Sequence, residues 1–280
     1  MKASLFIVLQ HLLPQHILSR MIGWLAHTEH QWTKNYFIQW FIQRYKVDMS
    51  IAAEPDPRQY KHFNDFFTRA LAEGQRPISD SGVCCPADGC ISQLGEIKHG
   101  RIFQAKGQEY TLLELVGGDE KMAQPFDGGH FATVYLSPKD YHRVHMPVAG
   151  TLTSMIHIPG DLFSVNDTTA QHVPRLFARN ERVVAFFDTE IGPMAIVLVG
   201  AMVVASIETV WAGLVTPIKK HIRHTKYQQT TPIFLEKGAE MGRFKLGSTA
   251  IVLFAKDAVN WKQTLGAQSS VMMGEKIADC

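Results

Sequence analysis

The segment Gly242-Arg243-Phe244-Lys245-Leu246-Gly247-Ser248-Thr249 runs straight into the apolar stretch Ala250 to Phe254, and its Gly247-Ser248 pair could do one specific piece of chemistry. The Ser248 hydroxyl can attack the Gly247 carbonyl and convert the amide into an ester. Elimination across Ser248 then frees the upstream chain, and hydrolysis of the resulting dehydroalanine leaves a pyruvoyl group. Glycine suits the first position because the missing side chain opens the carbonyl and tolerates strain. Taken alone, a Gly-Ser-Thr triplet reads as an ordinary turn. It rises above that only if a base lies within hydrogen-bond reach and a third group orients the base.

Two segments can supply those groups. Tyr141-His142-Arg143-Val144-His145-Met146-Pro147 carries two histidines three residues apart, and histidine is the natural general base near neutral pH. Pro86-Ala87-Asp88-Gly89 sets a carboxylate in a turn, although Asp-Gly is also a common turn pair. A structural role stays open for each of these side chains. Metal binding by His142 and His145 lacks a third ligand fixed by spacing. A serine hydrolase built on Ser248, His145 and Asp88 lacks the G-x-S-x-G elbow.

The elements that must position these residues fall into two textures. Before residue 54 the pattern is helical: Ile17, Leu18, Met21, Ile22 and Leu25 recur at helical spacing, and Trp32, Tyr36, Phe37, Trp40 and Phe41 mark a second amphipathic helix. Tryptophans at 24, 32 and 40 favour contact with a lipid surface. Residues 54–80 carry three prolines around a short aromatic helix, His62 to Leu71. Beyond Cys84, short β-branched and aromatic runs alternate with Gly, Pro and Asp turns. Strands are expected at Phe131 to Leu136, Thr151 to Ile158, Val183 to Thr189, Ala195 to Val199, Val203 to Thr209 and Thr249 to Phe254, and an exposed loop from Pro217 to Pro232. The expected fold class is α+β: membrane-associating helices over 1–50, a helical connection over 51–80, and a β-rich catalytic domain over 81–280.

Composition narrows the function classes. With 280 residues, 46% of them hydrophobic, the chain can bury a large core, and a formal net charge of +2 leaves no electrostatic footprint for nucleic acid. Cys84, Cys85, Cys90 and Cys280 form neither a disulfide framework nor a paired C-x-x-C site, and are expected to be reduced, buried thiols. The apolar run from Leu5 to Leu13 is interrupted too early to span a bilayer and lacks a nearby small-residue cleavage site, so it reads as retained.

Taken together, PADG at 86–89, YLSPKDYHRVHMP at 135–147, PGDLFSVN at 159–166, LFARNERV at 176–183, IETVWAG at 207–213 and EMGRFKLGSTAIVLF at 240–254 resemble the bacterial phosphatidylserine decarboxylases. The similarity runs in order along nearly the whole chain. The resemblance implies that Asp88, His145 and Ser248 form a self-cleavage triad acting on the Gly247-Ser248 bond. It implies that Ser248 becomes the pyruvoyl cofactor with no metal needed, that His142 assists decarboxylation or protonation, and that Ser164 with neighbouring backbone holds the substrate head group. Phosphatidylserine would condense through its amine with the pyruvoyl carbonyl as a Schiff base, lose carbon dioxide and leave as phosphatidylethanolamine. The implied setting is a homodimer of processed two-chain units, peripheral on the cytoplasmic face of the cell membrane. Cys85 and Cys90 replace the family's hydrophobic residues around the PADG turn, and residues 217–232 diverge from the commoner tryptophan-containing form. A pyruvoyl enzyme acting on a soluble amino acid and a non-catalytic membrane-binding module are the competing readings.

Overall fold

Val, Ile, Phe and Thr dominate the runs between the turns, and a residue whose neighbours on both faces are apolar is stable only in the middle of a layered sheet. The computed structural model describes residues 10, 15–105, 107–202, 206–216, 221–227, 230–245 and 248–280. Its strands in chain order are β1 (Val83–Cys84), β2 (Gly89–Glu96), β3 (Arg101–Ala105), β4 (Gln108–Thr111), β5 (His130–Leu136), β6 (Arg143–His145), β7 (Gly150–Ile158), β8 (Arg182–Thr189) and β9 (Gly192–Val199). They continue with β10 (Ser206–Thr209), β11 (Gly213–Leu214), β12 (Arg223–Lys226), β13 (Phe234–Leu235), β14 (Glu240–Lys245), β15 (Ser248–Phe254), β16 (Asn260–Trp261), β17 (Ser270–Val271) and β18 (Lys276–Asp279).

Among the described residues these strands form four sheets. The largest has the order β12-β7-β8-β9-β15-β5-β2-β17, with β13 also paired to β7. β15 sits inside it, antiparallel to β9 on one side and β5 on the other, with Ser248 opposite Leu136 and Thr249 opposite Val199. Ala250 through Phe254 are fully buried. Alternation sends Ile251 and Leu253 into one apolar cluster and Ala250, Val252 and Phe254 into the other. The second face is covered by the sheet β11-β10-β14-β6, through Val144, Ile207, Met241 and Phe244. The chain therefore changes sheets between β14 and β15, across residues 246–247 alone.

The first face is covered by helices. Ala26 from helix Gln15–Ala26, Ile38 and Phe41 from helix Gln31–Tyr45, and Phe63, Phe66 and Phe67 from helix Phe63–Phe67 all join the cluster that contains Ile251 and Leu253. The aromatic face expected of the second helix is divided. Phe41 is buried with Ile38, and the Lys34 ammonium turns inward to the Arg58 carbonyl at 2.9 Å, while Trp32, Tyr36 and Trp40 remain exposed. Core packing selects positions i, i+4 and i+7 and leaves the remaining rings outside. Trp24 is 78% exposed and Trp32 85%. No described helix is long and apolar enough to cross a membrane.

The fold is α+β as expected, and the apolar strands lie where their runs placed them. Of the expected strand from Val203, residues 203–205 lie outside the described set. Residues 217–232, read as a loop, contain β12, an exposed edge strand on β7. Its Arg, His, Thr and Lys carry no burial signal, because pairing there is through backbone alone, and charge suits an open edge. Cys84 and Cys85 are buried, whereas Cys90 is half-buried and Cys280 exposed.

Candidate active site

β5, β9 and β7 all end, and β15 and β8 begin, at one end of the large sheet, and the chemistry-bearing residues gather there. The loop after β5 carries Tyr141 and His142 into β6, and the Phe244 N–H on β14 donates to the His142 carbonyl at 3.0 Å. β6 pairs with β14 so that His145 lies opposite Glu240, and β14 runs directly toward residue 248. Gly247 lies outside the described residues. Of Ser248 the structure describes the strand position and not the side chain.

The turn Pro86 to Gly89 is brought against the histidine strand by backbone. The His145 N–H donates to the Pro86 carbonyl at 2.8 Å, and the Cys84 thiol reaches the Pro147 carbonyl at 3.2 Å. Gly89 is required by close approach, since a Cβ there would meet the Tyr135 carbonyl oxygen at 2.2 Å. The Asp88 carboxylate is buried. It accepts from Arg76 Nε at 2.9 Å and from the Met273 N–H at 2.8 Å. The implied triad has Asp88 orienting His145, but no hydrogen bond joins their side chains. Instead His145 Nδ1 donates to the Gly238 carbonyl at 2.8 Å, presented by a residue at φ +79°. A carbonyl only accepts, so Nδ1 carries the proton and Nε2 the lone pair, which takes the Tyr141 hydroxyl at 3.0 Å. This is the tautomer a general base requires.

His142 has the same polarity in a drier setting. Its Nδ1 donates to the Asp140 carbonyl at 2.8 Å, and its ring lies 4.0 Å from that of Phe67 between centroids. Nε2 is buried and has no partner among the described residues. The Thr249 hydroxyl, on the residue after Ser248, is also buried and has no partner among the described residues. Ser164 is half-buried on the loop after β7. Its N–H, and that of Leu162, are taken by the side-chain carbonyls of Gln10 and Gln15 at 2.8 and 2.7 Å. The neighbouring backbone expected to hold a head group is thus occupied by the N-terminal segment. Asn180 ties this loop to β9 by donating to the Phe163 and Gly200 carbonyls.

Arg76, Gly238, Tyr141 and the Met273 N–H were not assigned roles from sequence. Arg76 lies twelve residues before Asp88 and Met273 far beyond it, and no local period links them. Removing Arg76 leaves a buried carboxylate without its cation, which costs about 3–5 kcal/mol. Arg76→Met is therefore expected to lower the denaturant midpoint strongly. Adding Asp88→Leu should restore most of the loss, and a double variant no more stable than the single one would contradict the pairing.

Burial pushes His142 down to about 3, and burial outweighs the Gly238 bond to lower His145 as well. Both rings are neutral in the folded protein at pH 7, while in the unfolded chain they charge near 6.5. The unfolded chain then binds more protons below that value, so the stability they contribute is full above about pH 6.5 and is lost as pH falls. Unfolding free energy is expected to drop between pH 7 and 5 with a limiting slope of about 1.4 kcal/mol per pH unit for each fully shifted ring. His142→Gln should flatten that slope measurably. A profile equally steep without His142 would assign the sensitivity elsewhere.

Among the described residues no cluster of three or more His, Cys, Asp or Glu is arranged to hold a metal ion. Fold and site together define a β-rich enzyme in which a strand-initiating serine position, two neutral imidazoles and an acid-bearing turn share one sheet end. The chain belongs to the phosphatidylserine decarboxylase family, whose model matches residues 63–279, and a second model described as PSD matches residues 5–46. It is 62% identical to the phosphatidylserine decarboxylase proenzyme of Pseudomonas entomophila, over 99% of this chain and 98% of that one. It is 63% identical to the proenzyme of Pseudomonas fluorescens, over 98% of this chain and 97% of that one.

Proposed function

We propose that the chain is a proenzyme that cuts itself between Gly247 and Ser248 and then decarboxylates phosphatidylserine to phosphatidylethanolamine. The observation that carries this reading is the position of Ser248. It opens a central strand just after the chain leaves β14, the strand that pairs with the histidine-bearing β6, in a chain 62% identical to phosphatidylserine decarboxylase proenzymes. In the proposed division of roles, His145 takes the Ser248 hydroxyl proton at Nε2. Tyr141 yields that lone pair or relays through its own hydroxyl. Asp88 acts by pinning the turn whose Pro86 carbonyl holds the His145 backbone.

The residues present fit a pyruvoyl group at position 248. Backbone pairing to Leu136 would hold it from one side, and two buried groups without partners among the described residues, Thr249 Oγ1 and His142 Nε2, would offer it or its substrate hydrogen bonds. When formed, the group supplies the electron sink that lets carbon dioxide leave. His142, kept dry against Phe67, then serves the reacting centre as a hydrogen-bond acceptor and proton carrier at Nε2. Ser164 is assigned to the head group through its hydroxyl.

Incubating the purified protein with phosphatidylserine vesicles should convert the lipid to phosphatidylethanolamine with release of carbon dioxide. A cut protein that produced none would sink the substrate assignment, and product from an uncut chain would sink the pyruvoyl route.

A lipid substrate gives a purpose to Trp24, Trp32 and Tyr36, which stand out from the helical face instead of joining the core. The proposed location is peripheral, on the cytoplasmic face of the membrane, as a homodimer of cut units, which the mass of the native particle checks. Each ring transferred from water contributes about 1.5 kcal/mol or more. Changing Trp24, Trp32 and Tyr36 to Ser together is therefore expected to weaken vesicle binding at least about a hundredfold, measured by co-sedimentation. Point changes suit this test, because deleting the helices would remove Ile38 and Phe41 from the core. Vesicle binding at parental strength would remove these rings from the interface.

A further inference from the structure

Arg69 follows helix Phe63–Phe67 by two residues and is 2% exposed, on the helix-covered side of the sheet. Its guanidinium lies over the Phe66 ring, 5.6 Å from the centroid. Nη2 donates to the Lys139 carbonyl at 3.2 Å, while Nε and Nη1 are buried with no partner among the described residues. The carboxylates whose charge it feels are Asp88, Asp140 and Asp48. None of the three bonds it: Asp88 is held by Arg76 and Met273, Asp140 by Ser137, and Asp48 by Ser50. A permanent cation buried with two nitrogens unbonded is costly, and proteins retain such groups where something completes them.

The surroundings say what that is. Lys139, which Arg69 grips, lies three residues before His142, and Asp140 is the residue whose carbonyl orients the His142 ring. The positive charge of Arg69 is among the causes that lower His142. Arg143 Nε donates to the Thr68 carbonyl at 2.8 Å, fixing this end of the helix to the histidine strand. Arg69, His142 and Thr249 thus bring unfilled hydrogen-bonding atoms to the same sheet end. Resting on the decarboxylase reading, we propose that Arg69 binds the phosphodiester of the lipid substrate.

The phosphodiester is the better anion on physical grounds. Charge leaves the serine carboxylate as carbon dioxide forms, so an arginine on that group would stabilise the bound substrate more than the transition state. The phosphodiester keeps its charge throughout. It also lies three covalent bonds from the α-carbon, so holding it positions the reacting carbon relative to His142.

The test uses full-length cut enzyme with Arg69→Gln and Arg69→Lys, each first checked for cutting by mass and for its denaturation midpoint. Glycerophosphoethanolamine has the phosphodiester without the carboxylate, and free serine the reverse. Arg69→Gln should weaken glycerophosphoethanolamine binding, followed by 31P NMR, about tenfold to a hundredfold. It should raise KM for phosphatidylserine by a similar factor, with kcat and the binding of serine little changed. Arg69→Lys, which keeps the charge without the planar fork, should fall between and preserves the test if the Gln variant does not fold. Unchanged affinity and KM would make Arg69 a structural residue completed by water. Weakened serine binding with intact glycerophosphoethanolamine binding would move it to the carboxylate, and a fall in kcat alone would also overturn the proposal. Inorganic phosphate competing as well as glycerophosphoethanolamine would replace the head-group site by a general oxyanion site. If the parent made no phosphatidylethanolamine, the decarboxylase reading would fail by itself, and the binding comparison would still decide whether Arg69 holds a phosphodiester.

Discussion

Ser248→Ala is expected to yield a single chain of full mass and no phosphatidylethanolamine above background, whereas the parent gives two chains meeting at 247 and 248. The hydroxyl is the only atom lost, and the proposed route needs it twice: as nucleophile toward the Gly247 carbonyl and as the ester oxygen that departs with the upstream chain. Alanine offers neither, and an unactivated peptide bond does not break on the timescale of purification. Stability should change by less than about 0.5 kcal/mol, since a small residue opens the strand in both cases. The parent's two pieces should co-elute under native conditions, because residues 248–280 contribute β15 to the middle of the large sheet, β17 to its edge beside β2, and β18 to β1. Intact mass with native gel filtration checks both points. An uncut parent, or a cut Ser248→Ala chain, would remove self-processing from this bond.

His142→Ala should separate the two reactions that Ser248 serves. Cutting is expected to proceed, because the base proposed for that step is His145, held by Gly238 and Tyr141 independently of His142. Decarboxylation should fall by about 10²–10⁴-fold, the usual cost of removing a positioned proton-transfer group. Loss of the ring also leaves a void against Phe67, so His142→Gln, which keeps a donor near the Asp140 carbonyl, is the cleaner companion. Both variants should show two chains by mass and slow turnover. If either cut fully and turned over at the parental rate, His142 would be a core histidine, and if cutting failed while His145 was intact, the separation of roles would be wrong.

Different physical signals account for what could be read before folding. The runs that became β5, β7, β8, β9 and β15 were legible because residues buried on both faces must be apolar at consecutive positions. β12 and the short β6 were not, since edge pairing and a three-residue bridge leave no periodic trace in side-chain type. The aromatic helix was placed correctly in kind, and the division of its rings between core and surface was not, because both destinations select the same residues. At the site, Asp88, His142, His145 and Ser248 were found as motifs. The partners that set their chemistry, Gly238 for the His145 tautomer and Arg76 for the buried carboxylate, are backbone or distant groups whose residue type says nothing about whom they meet.

The α+β class and the family were legible in the amino-acid sequence, which also nominated the serine, histidines and aspartate proposed for the chemistry. These follow from residue identity and order, which motifs preserve. Only the folded chain shows that Asp88 pairs with Arg76 and not with His145, that both imidazoles are neutral with the proton on Nδ1, and that Arg69 is buried with two nitrogens unfilled among the described residues. Hydrogen-bond partners and proton affinities depend on distance and burial between residues far apart in the chain, and those quantities exist only once the sheets and helices have closed on one another.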